Sequence, residues 1–344
     1  MSAACQTIRR FYGPFAGGTE LRRLAPTVVL AMLSLAANAS PKLRYEVVHG
    51  WPQLPAGRIL GECAGVDVDS HGNVYVFERN ERVWSNPLPT KALKDPTIYV
   101  FDGGNGNLLR TMGANLFAMP HGLTVGPLGN VFVTDVALQQ VLELSPNGRV
   151  LLTLGERGVA GNDAKHFNQP TDVAVLPDGS FYVSDGYRNT RIMKFSKDGR
   201  FLFQWGKPGT GPGEFHNPHA VTVDQKGRVY VADRQNARVQ VFDGDGHFLA
   251  QWKSPQIGRP YSLALLGKDR VVIVDGGDQP KSGPDRSGAT IVDLAGHPLA
   301  RFGRFGNYDG QFMIAHDVAT DAAGDIFIVD ITGRRVQKFV RAAP

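Results

Sequence analysis

Three histidines occupy the same position in an internal repeat, a pattern that could build a metal site. They are His121, His219 and His316, and each directly precedes the second, fourth or sixth of six repeat copies. In a closed ring of six copies, alternate copies are related by a third of a turn, so the three imidazoles would converge on the ring axis. Three protein nitrogens with an open fourth position are typical of catalytic zinc. The pattern predicts a transition-metal site, with zinc favoured over iron, copper or manganese.

A second position of the repeat carries arginine in the first and fourth copies. Arg79 and Arg234 directly follow an acid of the repeat, and Tyr187 lies one residue further along in the third copy. Both arginines would face the mouth of the same channel, where a guanidinium group can bind a carboxylate with two hydrogen bonds. A tyrosine beside an arginine and a dication can act as a base. These three residues are therefore our candidate catalytic residues, and either arginine could bind the carboxylate.

The repeat that positions these residues is a β-hairpin followed by two further strands. Each copy has two apolar strands around a short turn, and an acid lies 13 residues after the copy begins. The copies begin at Gly65, Gly122, Asp172, Ala220, Ser262 and Asp317. The acids are Glu78, Asp135, Asp185, Asp233, Asp275 and Asp330. Four strands in each of six copies predict an all-β, six-bladed β-propeller, whereas two stacked sandwiches would not explain the constant spacing.

The two ends of the repeat region carry parts of one blade. The last copy ends with its third strand, Arg335 to Phe339, and a candidate fourth strand lies at Tyr45 to Trp51. An N-terminal strand that completes the last blade would close the ring and remove an exposed edge. We expect a single propeller domain over residues 43–341, acting as a monomer.

Residues 1–39 have the features of a signal peptide. Arg22 and Arg23 precede an apolar run from Thr27 to Ala37, and Ala39 ends a small-x-small cleavage sequence before Ser40. The run of about 11 residues is shorter than the ~20 that span a bilayer. Cleavage near Ala39 and Ser40 is therefore favoured over an uncleaved anchor. We expect a secreted or periplasmic protein with no stable membrane insertion after cleavage.

The charge distribution argues against nucleic-acid binding. The net charge is +5, and the first 39 residues contribute +3 of it through four arginines and one acid. The rest of the chain intersperses its lysines and acids, so it lacks the basic cluster that binds phosphate backbones.

Long stretches of the sequence match a known enzyme family, most strongly from about residue 64 to residue 242. They include Phe77-Glu78-Arg79, Pro120-His121-Gly122, Val133 to Leu138, His166 to Val175, Ser184 to Tyr187 and Ala232-Asp233-Arg234. These stretches resemble the peptidyl-α-hydroxyglycine α-amidating lyases, the lyase half of the animal peptide-amidating enzyme. That family has an NHL-like six-bladed propeller. The resemblance implies that the three histidines bind zinc, that Tyr187 is the catalytic tyrosine, and that Arg79 and Arg234 are active-site arginines.

The resemblance also implies a second ion and shows two departures. A structural calcium ion would be held by the carbonyls of Val66 and Leu123 and by the carboxylate of Asp317, and calcium prefers such oxygen ligands. Before the third histidine the family has Met-Pro, whereas this chain has Ile314-Ala315. Arg188 stands where the animal enzyme has a disulfide cysteine beside the tyrosine. Neither departure removes a predicted ligand.

The implied activity is that of a carbon–nitrogen lyase. The substrate would be a small molecule or peptide ending in α-hydroxyglycine, and the products would be an amide and glyoxylate. One alternative is a metal-dependent propeller lyase or hydrolase that acts on another small substrate. The other is a non-catalytic NHL propeller that binds a peptide or protein, for which we would expect scattered channel residues and not three histidines in one register.

Overall fold

Six four-stranded antiparallel sheets, all built from the repeat, make up most of the structure. This computed structural model describes residues 43–278, 281 and 283–343. The first blade contains β2 (Cys63–Val68), β3 (Asn73–Glu78), β4 (Ile98–Asp102) and β5 (Leu108–Met112). The second contains β6 (Pro120–Val125), β7 (Val131–Asp135), β8 (Gln140–Leu144) and β9 (Val150–Leu154). The third contains β10 (Asp172–Val175), β11 (Phe181–Asp185), β12 (Arg191–Phe195) and β13 (Phe201–Trp205).

The remaining blades repeat this order. The fourth contains β16 (Pro218–Val223), β17 (Val229–Asp233), β18 (Arg238–Phe242) and β19 (Phe248–Trp252). The fifth contains β20 (Pro260–Leu266), β21 (Arg270–Asp275), β22 (Gly288–Asp293) and β23 (Pro298–Phe302). The sixth contains β24 (Ala315–Thr320), β25 (Ile326–Asp330), β26 (Arg335–Arg341) and β1 (Tyr45–Val47). Outside the blades lie a parallel pair, β14 (Lys207–Pro208) with β15 (Glu214–Phe215), and a 3₁₀-helix at Arg234–Asn236. The predicted six-bladed β-propeller is confirmed.

The sixth blade is built from both ends of the described chain. Strand β1 pairs antiparallel with β26, with Tyr45 opposite Arg341 and Val47 opposite Phe339. The strand ends at Val47, whereas the sequence predicted a strand that continues to Trp51. The Trp51 ring is instead buried between Phe101 of the first blade and Phe327 of the sixth, 6.2 and 5.1 Å from their rings.

The hydrophobic core lies between the blades. Each strand contributes apolar side chains to it from both faces, because successive residues point to opposite sides. In β3, Val74 and Val76 pack with the sixth blade, whereas Tyr75 and Phe77 pack with the second. Successive side chains of a strand point to opposite faces, so one strand joins two neighbouring interfaces. This packing fixes the angular positions of the blades and therefore of the residues at the axis.

The predicted signal peptide, residues 1–39, lies outside the described residues. Within the described part of the chain, no helix has the length and apolar character needed to cross a membrane.

Candidate metal centre and active site

Each of the three histidines sits at an irregularity in the innermost strand of its blade. In β16, Pro218 lies opposite Asp233 and Ala220 opposite Ala232, so His219 is an extra residue without a pairing partner. His316 is bulged in the same way in β24, and the pairing of β6 shifts across His121. A bulge bends a strand and turns a side chain away from the regular alternation. Here the three bulges direct all three imidazoles into one place.

A hydrogen bond to the next blade fixes the tautomer of each imidazole. Nδ1 of His121 donates to the carbonyl of Thr171 at 2.7 Å, and Nδ1 of His219 donates to that of Tyr261 at 2.7 Å. Nδ1 of His316 donates to the carbonyl of Ala64 at 2.8 Å. Because a carbonyl only accepts, Nδ1 carries the proton and Nε2 of each neutral ring keeps a free lone pair. The acceptors occupy the histidine position of the repeat in the third, fifth and first blades, which gives the centre an approximate threefold arrangement.

The geometry and protonation of the three rings fit a bound metal ion. The ring centroids lie 4.8 to 5.0 Å apart, and the candidate ligand atoms all lie within 4.8 Å of one another. Burial lowers the pKa of His316 to about 3 and lowers the pKa values of His121 and His219 well below the usual range. The rings are therefore neutral at pH 7, as metal ligands must be. The donor set of three imidazole nitrogens suits zinc.

The repeated acids hold the loops that lead into the histidine strands. Oδ2 of Asp135 accepts hydrogen bonds from the backbone N–H groups of Ala118 and Met119, just before His121. Asp330 accepts from the N–H groups of Met313 and Ile314 in the same way, just before His316. These carboxylates are buried and occupied by backbone donors, so they support the site and do not face it.

Tyr187 lies beside the candidate metal centre and contacts two of its three histidines. Its hydroxyl oxygen is 3.0 Å from Nε2 of His121 and 3.0 Å from Nε2 of His219. The preceding residue must be glycine, because a Cβ on Gly186 would lie 1.8 Å from the carbonyl oxygen of Pro218. This close approach of the third blade to the fourth brings the tyrosine to the axis.

Arg79 is buried beside the centre, and two of its three guanidinium nitrogens have hydrogen-bond partners. Nε donates to the carbonyl of Pro120 at 2.9 Å, and Nη1 forms an ion pair with Glu62 at 2.8 Å. Nη2 is buried and has no hydrogen-bond partner among the described residues. The sequence indicated the arginine but not Glu62, which lies outside the repeated positions.

Arg234 is also buried, but no carboxylate among the described residues forms an ion pair with it. The neighbouring Asp233 pairs with Arg238 at 2.8 Å, and no salt bridge to Arg234 occurs within the described part of the chain. Its guanidinium carbon lies 4.2 Å from the centroid of the Tyr261 ring and 5.9 Å from that of Tyr187. Its Nε atom is buried without a hydrogen-bond partner in that part of the chain. The site thus contains one arginine with a carboxylate partner and one available to an anionic ligand.

The predicted calcium ligands line a second cavity along the channel. Val66, Leu123 and Asp317 border a space of about 120 Å³, together with Asp67 and Asp172, which the sequence analysis did not select. Burial raises the pKa of Asp67 to about 7 and that of Asp317 to about 6. Burial and the nearby charge of Asp317 raise the pKa of Asp172 well above its usual range. Carboxylate oxygens are hard donors, so this donor set fits a hard divalent cation.

Comparisons with known proteins agree with this fold. Residues 162–260 match a family model described as a 6-bladed beta-propeller. The crystal structure of virginiamycin B lyase from Staphylococcus aureus, in an inactive variant with quinupristin, superimposes with a TM-score of 0.54 at 14% sequence identity. The superposition covers 87% of this chain and 88% of that one. At this level of identity the likeness concerns the fold alone.

Sequence comparisons give closer relatives. Peptidyl-alpha-hydroxyglycine alpha-amidating lyase 1 of Drosophila melanogaster is 35% identical over 329 residues, which cover 86% of this chain and 60% of the relative. Peptidylglycine alpha-amidating monooxygenase of Rattus norvegicus is 41% identical over 204 residues, which cover 54% of this chain and 21% of the relative. The chain thus spans about three fifths of the first relative and one fifth of the second. The resemblance expected from the sequence is confirmed, and the chain is a homologue of the peptidyl-α-hydroxyglycine α-amidating lyases.

Proposed function

We propose that this protein is a zinc-dependent carbon–nitrogen lyase that cleaves peptidyl- or N-acyl-α-hydroxyglycines into an amide and glyoxylate. The observation that carries the proposal is the position of the Tyr187 hydroxyl, 3.0 Å from Nε2 of both His121 and His219. A potential base thus lies within hydrogen-bond distance of the atoms that would hold the metal. The names of the relatives support the same chemistry.

The three histidines would hold zinc through Nε2, since Nδ1 of each is occupied by a carbonyl. When bound there, zinc supplies Lewis-acid polarisation of a hydroxyl group. In the proposed reaction, Tyr187 in its deprotonated form accepts the proton of the substrate's hydroxyl group. The C–N bond breaks as the C=O bond of glyoxylate forms, and the departing amide nitrogen takes up a proton. Atoms balance without water or any oxidant.

We assign carboxylate binding to Arg234. The charge of Arg79 is balanced by Glu62, whereas Arg234 has no carboxylate partner among the described residues. A buried, unpaired guanidinium group attracts an anion strongly because little water screens it. The same guanidinium group lies 5.9 Å from the centre of the Tyr187 ring, so the two proposed functional side chains are close together. Arg79 has a supporting role, since its Nε bond to Pro120 holds the residue before His121.

A structural calcium ion is a further part of the proposal. The carbonyls of Val66 and Leu123 and the carboxylate of Asp317 would bind it, and Asp67 and Asp172 would contribute negative charge around the same cavity. A divalent cation would offset the buried carboxylates and so lower their raised pKa values. We also propose that the protein is exported after cleavage near Ala39 and acts as a monomer, as the sequence predicts.

The test is a direct assay of both products. Purified, zinc-replete protein is incubated with α-hydroxyhippuric acid, a small N-acyl-α-hydroxyglycine, and benzamide and glyoxylate are quantified. We expect equimolar formation of the two products above the spontaneous rate, and its loss in the His219→Ala variant. If the parent protein and this variant give the same rate, the proposed function is wrong.

A further inference from the structure

Tyr261 contacts the metal centre, although neither the repeat nor the family resemblance assigned it a role. It occupies the histidine position of the repeat in the fifth blade, at a bulge of β20. Its ring lies 5.1 Å from the ring of His219 and 5.7 Å from that of His316, and it borders the same small cavity as the three histidines. Tyr187 and Tyr261 thus both contact His219. Tyr187 also contacts His121, whereas Tyr261 also contacts His316.

The hydroxyl group of Tyr261 is buried and has no hydrogen-bond partner among the described residues. Buried polar groups in proteins are nearly always hydrogen-bonded, and an unpaired one is unfavourable. The buried Tyr182 follows the rule, since its hydroxyl donates to the carbonyl of Gly244 at 2.8 Å. An unpaired hydroxyl in a functional site therefore indicates a ligand that completes it.

The side chain of Arg234 lies against the ring of Tyr261. The Arg234 guanidinium carbon lies 4.2 Å from the centre of the Tyr261 ring, and its Nε also lacks a partner in the described structure. Two unsatisfied donors, one of them charged, thus lie next to each other beside the metal ligands. A carboxylate has two oxygens that each accept more than one hydrogen bond, so a single carboxylate can satisfy both donors.

We propose that Tyr261 and Arg234 form the carboxylate-binding subsite, in which the Tyr261 hydroxyl donates a hydrogen bond to the carboxylate and its ring holds the guanidinium group in place. This inference rests on the proposed function for the identity of the substrate, and it adds a residue that distinguishes acids from neutral analogues. The ring and the hydroxyl have separate roles. Tyr261→Phe removes only the hydroxyl, whereas Tyr261→Leu removes the ring as well.

Binding of a non-reacting analogue tests the subsite without turnover. Isothermal titration of zinc-replete protein compares hippurate, which has the carboxylate but no α-hydroxyl group, with neutral hippuramide. We expect Tyr261→Phe to weaken hippurate binding about 10-fold or more, since hydrogen bonds to charged groups are strong, and to leave hippuramide binding unchanged. Tyr261→Leu, which also removes the ring beneath Arg234, should weaken hippurate binding further. Tyr182→Phe removes a buried hydroxyl outside the site and should change neither affinity.

The outcomes separate this inference from the proposed function. If Tyr261→Phe binds hippurate as tightly as the parent, or if the parent does not bind hippurate, the subsite is wrong. If Tyr261→Phe weakens both ligands equally, the hydroxyl does not recognise the carboxylate and the inference is also wrong. If the parent binds hippurate in a Tyr261-dependent way but does not cleave α-hydroxyhippuric acid, the subsite stands and the proposed reaction fails.

Discussion

Arg79 and Glu62 form an ion pair that is almost completely buried, with Nη1 and Oε2 2.8 Å apart. Removing one partner of a buried pair leaves the other charge uncompensated, which costs about 3–5 kcal/mol. We therefore expect Glu62→Ala to reduce the free energy of unfolding by about that amount, as measured by urea denaturation. The double variant Glu62→Leu/Arg79→Met should recover most of the loss. Equal stability of the parent and Glu62→Ala would show that the pair is not desolvated.

The two arginines should respond differently when the substrate loses its charge. For Arg234→Ala, we expect a lower kcat/KM for α-hydroxyhippuric acid. The loss should correspond to about 2–5 kcal/mol of transition-state stabilisation, as for other buried charge pairs that lose one partner. The methyl ester should lose much less, because it offers no carboxylate. For Arg79→Ala, acid and ester should be affected alike. The opposite pattern would exchange the two roles.

Loss of one histidine should remove the metal and leave the fold. His219 would contribute a ligand, whereas the blades are held by apolar strands packed on both faces. Elemental analysis of purified His219→Ala should find much less zinc than in the parent, and the circular dichroism spectrum should be retained. His247→Ala is the matched control, because His247 is exposed in a turn and paired with Asp243. Stoichiometric zinc in His219→Ala would contradict the triad.

Tyr187→Phe should separate proton transfer from metal binding. We expect turnover to fall by ~10²–10⁴, the usual contribution of a general base, while zinc content remains that of the parent. The exposed Tyr308 offers a control, since Tyr308→Phe should not affect turnover. Turnover near the parent rate in Tyr187→Phe would place the base elsewhere.

Gly186 tests whether the backbone positions the tyrosine. A Cβ at this residue would lie 1.8 Å from the carbonyl oxygen of Pro218, so Gly186→Ala must push the third and fourth blades apart locally. We expect lower turnover and lower stability with zinc still bound, measured by product formation, thermal denaturation and elemental analysis. In Gly244→Ala the new Cβ would have only ordinary contacts, the nearest at 3.5 Å, and activity should be kept. A fully active Gly186→Ala would mean that the loop adjusts freely.

The sequence predicted the features that follow directly from the repeat, which are the blades and the meeting of the three histidines. The constant spacing from each copy's start to its acid placed the blades, and the shared register of His121, His219 and His316 predicted that they meet. What it could not supply are contacts between residues outside the repeated positions. Glu62 follows no register, so its pairing with Arg79 and the resulting difference between the two arginines depend on the three-dimensional structure. Tyr261 stood in the histidine register but as a different residue type, and its unpaired hydroxyl is a property of packing.

The hydrogen bond from His316 to the carbonyl of Ala64 joins β24 of the sixth blade to β2 of the first. It supplements the pairing of β1 with β26, where the two ends of the described chain meet without a peptide connection. Asp317 accepts from the backbone of Val66 across the same boundary, and Lys338 donates to the carbonyl of Gly103. A metal ion that binds only the assembled triad therefore stabilises this boundary by mass action, and ring opening there must release the ion. If the proposed ion is bound there, chelation would loosen the described part of the molecule first where β24 and β26 meet β1 and β2, so the ion would have a structural role in addition to its proposed chemical one.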